Sequence, residues 1–250
     1  MTTLRPVDSG RDELIGISGT GNRLLDALPS EDRRRIVERA TLTEMPLGTV
    51  AFERGEDIPY VHFPTRGVLS LITATRDGST IEVSTLGNEG TTGVPVFLGS
   101  RQEVNVRCIS QVEGQAVRIG ADDFQDQCEL SHSLRILMGR YTVALLTQVG
   151  QAVACSRLHS TSERCARWLL MTHDRAGTDK FFLTQEFLAY MLGVRRASVT
   201  NSLGPLRKAG MLSYSRGHVE ILDRAALKKA ACECYDVMRS AFEQVLEQKP

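Results

Sequence analysis

The 250-residue sequence has no run of 18 apolar residues, no dense cysteine framework and no excess of charge of either sign, with 30 Lys/Arg against 30 Asp/Glu. The first absence argues against a membrane-spanning helix. The second argues against a small secreted scaffold held by disulfides. Eight prolines against 21 glycines, with 42% hydrophobic and 24% charged residues, fit neither a disordered polymer nor a fibrous repeat. The opening MTTLRPVDSGRDELIGISGTG has scattered charges and lacks the apolar segment and cleavage site of a secretory signal, so a cytoplasmic protein is expected. A chain of this length can form one large domain or two ordinary ones and bury roughly 70–75% of its unfolded surface.

The six cysteines stand at 108, 128, 155, 165, 232 and 234. Only Cys232 and Cys234 are close, as C-x-C, and no second pair or His-x3-His segment completes a zinc site. On a helix, residues two apart point about 200° from one another, poor geometry for joint chelation. The pair therefore reads as structural, and no metal or cofactor is expected.

The zero net charge hides an uneven distribution. Residues 1–155 hold 15 Lys/Arg against 20 Asp/Glu, residues 156–222 hold ten against five, and residues 223–250 hold five of each. A basic segment suits a nucleic-acid footprint, because neutralising phosphates supplies most of the sequence-independent affinity.

Five segments follow from patterning: a flexible opening (1–21), a strand-rich sensor (22–130), a long helix (131–157), a DNA-binding unit (158–225) and a C-terminal helix (226–250). Residues 22–40 read as two short helices broken at Pro29, with Ser30 capping the second. From Thr41 to Ile119, alternating runs (TVAFE, VHFPT, VLSLITAT, TIEVSTL, VNVRCIS, QAVRI) predict six or more short antiparallel strands in a small barrel or jelly roll, with a hairpin at Asp77-Gly78. Beyond them, Leu134, Leu137, Met138, Tyr141, Leu145, Val149 and Ala152 recur at steps of three and four, and Val143, Ala144 and Leu146 occupy the other face. A helix apolar on two sides has two surfaces to bury, one on its own barrel and one on the same helix of a second subunit. The stripe from Leu134 to Ala152 is assigned to that homodimer interface.

Ser160-Thr161-Ser162-Glu163 is a capping box opening the next helix. The most informative stretch is TQEFLAYMLGVRRASVTNSLGPLRKAGMLSYSRGHVEIL, residues 184–222. Thr184 caps a helix with Phe187, Leu188 and Met191 inward, Leu192-Gly193-Val194 turns, and a second helix runs from Arg195 toward Lys208. The exposed start of that helix carries Arg195, Arg196, Ser198, Thr200 and Asn201; arginine can read guanine and asparagine adenine in a major groove. Gln185 lies beside them. Pro205 conflicts with the helix, leaving the Asn201 carbonyl without its donor. Two strands around Arg216-Gly217 make a wing, with Arg216 placed to meet phosphate. After Asp223, a capping residue, one further amphipathic helix is expected.

This order of a sensor, a long helix, a capped helix and a winged helix-turn-helix resembles the Crp/Fnr regulators over about residues 22–225. YVHFPTRGVLSLI, GNEGTTGVPVFLG, CSRLHSTSERCARWLLMTHDR and LTQEFLAYMLGVRRASVT carry the likeness. The resemblance implies an α+β chain: a cyclic-nucleotide-binding-like β jelly roll, a long dimerisation helix and a C-terminal winged helix-turn-helix. It also implies a non-enzymatic homodimer that binds double-stranded promoter DNA and acts on RNA polymerase, with no membrane partner. The family's effector site falls at Gly87, Glu89, Gly90, Val104 and Asn105, where an unidentified small molecule is expected. Cyclic-AMP-binding members carry an Arg-Ser or Arg-Thr pair; here Gln102-Glu103-Val104-Asn105 has no arginine, and the adenine-reading hydroxyls fall at Val149-Gly150, so cyclic AMP is not expected. Oxygen-sensing members hold iron-sulfur clusters on N-terminal cysteines, and the first cysteine here is Cys108. The Arg-Glu-x-x-x-Arg reading set becomes Arg196-Ala197-Ser198-Val199-Thr200-Asn201, implying a different DNA half-site.

Two rival classes are weaker. A cupin-like metal enzyme needs clustered His and Glu ligands, and the strand region holds only His62. A sensor acting only through protein partners would not need the polar face at Arg195, Arg196, Ser198 and Asn201.

Overall fold

The computed structural model describes residues 19–102 and 105–248. Most of the 1–21 opening and Val104 lie outside the described residues.

Five strands form one antiparallel sheet: β1 (Ala40–Met45), β2 (Val50–Phe52), β3 (Tyr60–Ala74), β4 (Thr80–Leu86) and β5 (Val106–Gly120). The order is β1-β5-β3-β4, with β2 also on β5. The short strands expected from VHFPT and VLSLITAT are one 15-residue strand, β3, and VNVRCIS and QAVRI join in β5, also 15 residues long. What looked like a break is a bulged bend: the β3–β5 register shifts between Pro64 and Arg66 and again between Arg66 and Val68. Two glycines allow the backbones to meet there. A Cβ on Gly67 (φ 81°) would stand 2.6 Å from the Val112 carbonyl oxygen, and one on Gly114 only 2.1 Å from that of Arg66. The Asp77-Gly78 turn joins β3 to β4 as expected, with Thr75 donating its N–H to Ser79 across it.

Helices α1 (Arg23–Asp26) and α2 (Ser30–Val37) precede the sheet. Asn22 caps α1 by accepting from the Leu25 N–H at 3.0 Å. The Ser30 cap is not formed: Pro29, with extended ψ of 144°, takes the cap position and Ser30 is the first helical residue. After the short α3 (Val94–Phe97), α4 (Ala121–Leu130) leads to Ser131, which caps α5 (His132–Leu158) by accepting from the Leu134 N–H at 3.0 Å.

The interface stripe must be corrected. Leu134, Leu137, Met138 and Tyr141 are at most 1% exposed and belong to the sheet's own core, with Ala144 beside them; Leu145, Val149 and Ala152 are half-buried. The Tyr141 hydroxyl accepts from the Thr91 N–H and donates to the Thr91 carbonyl. The free apolar face is the other one, where Val143, Leu146 and Val153 are 63–66% exposed. Both faces were visible in the pattern, but periodicity does not say which one meets the sheet.

Beyond α5, the Ser160–Glu163 capping box starts α6 (Thr161–Ala176). Then come β6 (Lys180–Phe182), α7 (Gln185–Leu192), α8 (Arg196–Lys208), β7 (Leu212–Ser215) and β8 (His218–Ile221), with the strands in order β6-β8-β7. Their apolar faces form a second core around Trp168, Leu188, Val199, Leu203 and Val219. The single C-terminal helix expected after Asp223 is two: α9 (Arg224–Ala230), capped by Asp223, and α10 (Cys234–Glu247), with a break between them. α10 lies along α5; Phe242 and Val245 enter the first core, and Tyr235 and Met238 enter the second.

A polar seam joins the two cores. Trp168 Nε1 donates to Glu82 Oε1 at 2.8 Å, Ser70 donates to Glu82 Oε2 at 2.7 Å, and Arg175 Nε stands 2.7 Å from Glu89 Oε1. Burial pushes the Glu82 carboxyl up to about 7, against the pull of those hydrogen bonds and of Arg167 and Arg175.

Candidate nucleic-acid interface

Thr184 Oγ1 accepts from the Phe187 N–H at 3.1 Å and opens α7. Gly193 closes it in the left-handed region at φ 62°, as a helix C-terminus that must turn at once requires. Arg195 occupies the cap position of α8 without a side-chain bond, so Arg195 and Arg196 project where that helix presents its unsatisfied N–H groups. Val199, Ser202, Leu203 and Leu206 face inward, while Arg195, Arg196, Thr200 and Asn201 are exposed and Ser198 is half-buried. Among the described residues, no ion pair engages Arg195, Arg196 or Arg216. Thr200 Oγ1 donates to Gln185 Oε1 at 2.7 Å, tying the start of α7 to the exposed face of α8. Pro205 sits inside α8, which continues through it to Lys208; packing by Leu203 and Leu206 outweighs one missing bond.

The wing is a two-residue hairpin. Arg216 (φ 49°) and Gly217 (φ 79°) both have positive φ, the signature of a type I′ turn, and Arg216 is exposed at its tip. The helix start, Gln185 and the wing tip are the parts through which such a domain can hold phosphates and read base edges.

Of the expected effector residues that are described, Gly87, Glu89 and Gly90 share one turn, the Gly90 N–H donating to the Gly87 carbonyl at 3.0 Å, while Asn105 lies apart from them. Gly87 and Gly90 pack against neighbours that leave no room for a Cβ, Arg175 at the first and the Tyr141 hydroxyl at the second. Glu89 lines a cavity of about 290 Å³ with Arg23, Arg175, Arg224 and Arg239. Asn105 lines another, with Arg54, Arg107 and Tyr190, and bonds Thr73. His62 is buried, its imidazole lowered to about 4 by burial and by Arg118, and it joins no metal-ligating group among the described residues.

One cluster escaped the sequence reading. Cys155, His159, Cys232 and Cys234 bring their Sγ and nitrogen atoms within 4.8 Å of one another. The expectation that Cys232 and Cys234 diverge on a helix fails because Cys232 lies in the break before α10. Their complement, Cys155-x3-His159, lies 77 residues earlier at the C-terminal end of α5, Cys155 in its last turn and His159 in the extended cap position just past it; a search for C-x3-H would have found it.

The geometry defines a winged helix-turn-helix DNA-binding unit on a strand-rich domain. Residues 163–230 match the Crp-like helix-turn-helix domain. Three solved structures share the wider fold. A transcriptional regulator of the CRP family from Thermus thermophilus aligns at 19% identity and TM-score 0.62 over 76% of this chain and 96% of its own. FixK2 from Bradyrhizobium japonicum aligns at 13% and 0.60 over 77% and 98%. The c-di-GMP responsive global regulator CLP from Xanthomonas campestris aligns at 16% and 0.61 over 77% and 99%. No curated protein matches the sequence. The chain carries a Crp-like helix-turn-helix domain on the fold of the Crp/Fnr transcriptional regulators. No helix among the described residues is long and apolar enough to cross a membrane.

Proposed function

We propose that this transcription regulator of the Crp/Fnr type works as a homodimer that reads a two-fold symmetric promoter site with the N-terminal turns of α8 and influences RNA polymerase there. The carrying observation is the exposed Arg195, Arg196 and Asn201 at the start of α8, the two arginines without an ion pair among the described residues, beside an exposed Arg216 on the wing. Arg196 reads a base edge, and Asn201 is placed to read adenine. Gln185 and Thr200 brace one another and meet the backbone, as do Thr184, Ser198 and Arg216. The exposed Val143, Leu146 and Val153 support pairing of the long helices, because steps of three and seven fit a coiled-coil seam.

The effector acts at the cavity between the two cores. Its four arginines outnumber its three carboxylates by one, so an anionic small molecule there would compete with Glu89 for Arg175, Glu243 for Arg23 and Asp174 for Arg224. The test is selection of sites from a random DNA pool by the purified full chain, alone and with small-molecule extract. A palindromic winner whose preference at one position per half-site flattens in Arg196→Ala supports the reading; no enrichment under either condition overturns it.

A further inference from the structure

The end of α5 and the break before α10 meet at the joint between the long helix and the DNA-binding unit, and four potential metal ligands converge there. Cys155 and Cys234 are wholly buried and Cys232 is 5% exposed. Cys155 Sγ lies 3.5 Å from Cys232 Sγ, and Cys234 Sγ lies 3.5 Å from His159 Nδ1. A four-coordinate zinc ion with Zn–S bonds of about 2.3 Å sets its ligand atoms about 3.8 Å apart, so these spacings already approach the edges of such a tetrahedron. The donor set is that of a closed Cys3His site.

The surroundings fit as well. His159 Nδ1 faces the sulfurs, and its other nitrogen, Nε2, lies 3.2 Å from Glu233 Oε2. That is how a carboxylate fixes the tautomer and orientation of a metal-binding imidazole. Glu233 stands between Cys232 and Cys234 in sequence, so one short loop supplies two ligands and the carboxylate. Gln151 Nε2 donates to Cys234 Sγ at 3.1 Å. Three thiolates on a divalent ion leave one net negative charge, and the buried guanidinium of Arg164 lies within electrostatic reach of Cys155 and Cys232. Arg164 also donates through Nη2 to the Leu192 carbonyl, at the turn between α7 and α8.

We propose that Cys155, His159, Cys232 and Cys234 bind one zinc-type divalent cation per chain, and that the bound ion pins the C-terminal segment to the end of the long helix beside the DNA-reading turn. Binding displaces the thiol protons to solvent, so affinity rises with pH.

Cobalt(II) titration of the reduced, metal-free full chain tests this. One equivalent should give thiolate charge-transfer and tetrahedral ligand-field bands, which one equivalent of zinc abolishes. Cys234→Ser and His159→Gln should each change the band shape and weaken binding at least tenfold; Glu233→Gln should weaken binding about 10- to 100-fold with the spectrum retained. Cys128→Ser, away from the cluster, should bind as the parent does. Circular dichroism on each variant separates lost binding from lost folding. The proposal is overturned if cobalt gives no thiolate band, or if folded Cys234→Ser and His159→Gln bind as the parent does. It is overturned equally if mild oxidation closes a Cys155–Cys232 disulfide in a chain that takes up no stoichiometric cobalt.

Discussion

Arg175, near the end of α6, holds Glu89 of the strand-rich half through a 2.7 Å contact in which both side chains are more than nine-tenths buried. Arg175 also donates to Gln148 on the long helix at 3.2 Å, so one guanidinium touches the sheet domain, the long helix and the DNA-binding unit. Removing one member of such a pair strands a buried charge. Glu89→Gln or Arg175→Met alone should cost about 3–5 kcal/mol in urea unfolding, and the double variant should recover much of that loss. Additive losses in the double variant would show the two residues to be uncoupled.

Glu82 should make stability depend on pH. Its carboxyl is raised from 4.5 to about 7, so between those values the folded state holds a proton that the unfolded state has released. The stabilisation is complete below about pH 4.5 and disappears as pH rises through 7. His62 works in the opposite sense. Its imidazole is lowered from 6.5 to about 4, so its contribution is present above 6.5 and lost as pH falls through 4. The two slopes partly cancel in the parent chain. Thermal melts from pH 4.5 to 8 should show Glu82→Gln gaining stability with rising pH relative to the parent; parallel curves would contradict the assignment.

Leu146→Glu and Val153→Glu place charge on the exposed face of α5, whereas Leu137→Glu places it in the core. The first two should sediment as monomers with folded circular-dichroism spectra. The third should not fold, since an unpaired buried carboxylate is among the costliest of single changes. A dimer that persists in Leu146→Glu would move the subunit contact elsewhere.

Arg196→Ala and Arg216→Ala should fail differently on DNA. Loss of a base-reading arginine relaxes one position by about 1–3 kcal/mol, while loss of a phosphate contact weakens all sequences alike and lowers the salt slope by about one. Binding measured against salt on the selected site and on single-base variants separates the two.

The helix-turn-helix was legible because each local signal agreed with the fold: the Thr184 cap, the Gly193 turn, the inward Val199 and Leu203, the Arg216-Gly217 hairpin. Such signals act over four residues or fewer. Two misreadings were local, the Ser30 cap displaced by Pro29 and the unseen break before Cys234, and the others involved distance. The bend at Gly67 and Gly114 looked like two strand ends because the partner that explains the glycines lies 47 residues away. Tyr141 was assigned outward because its partner, Thr91, is 50 residues upstream. Cys232 and Cys234 looked incomplete because their complement sits on another helix.

The C-terminal helix α10 works as a strut between two bodies. Its first turns are anchored by Tyr235 and Met238 in the core of the helix-turn-helix unit, and its later turns by Phe242 and Val245 in the core of the strand-rich domain. A rotation of the DNA-binding unit against the long helix must either unseat one pair of anchors or carry the rod along with it. Unseating a buried side chain of this size costs about 1.5–3 kcal/mol. The angle between α8 and the strand-rich domain is therefore held by a spring whose stiffness is written in four side chains, and shortening any of them should make the two bodies easier to turn against one another.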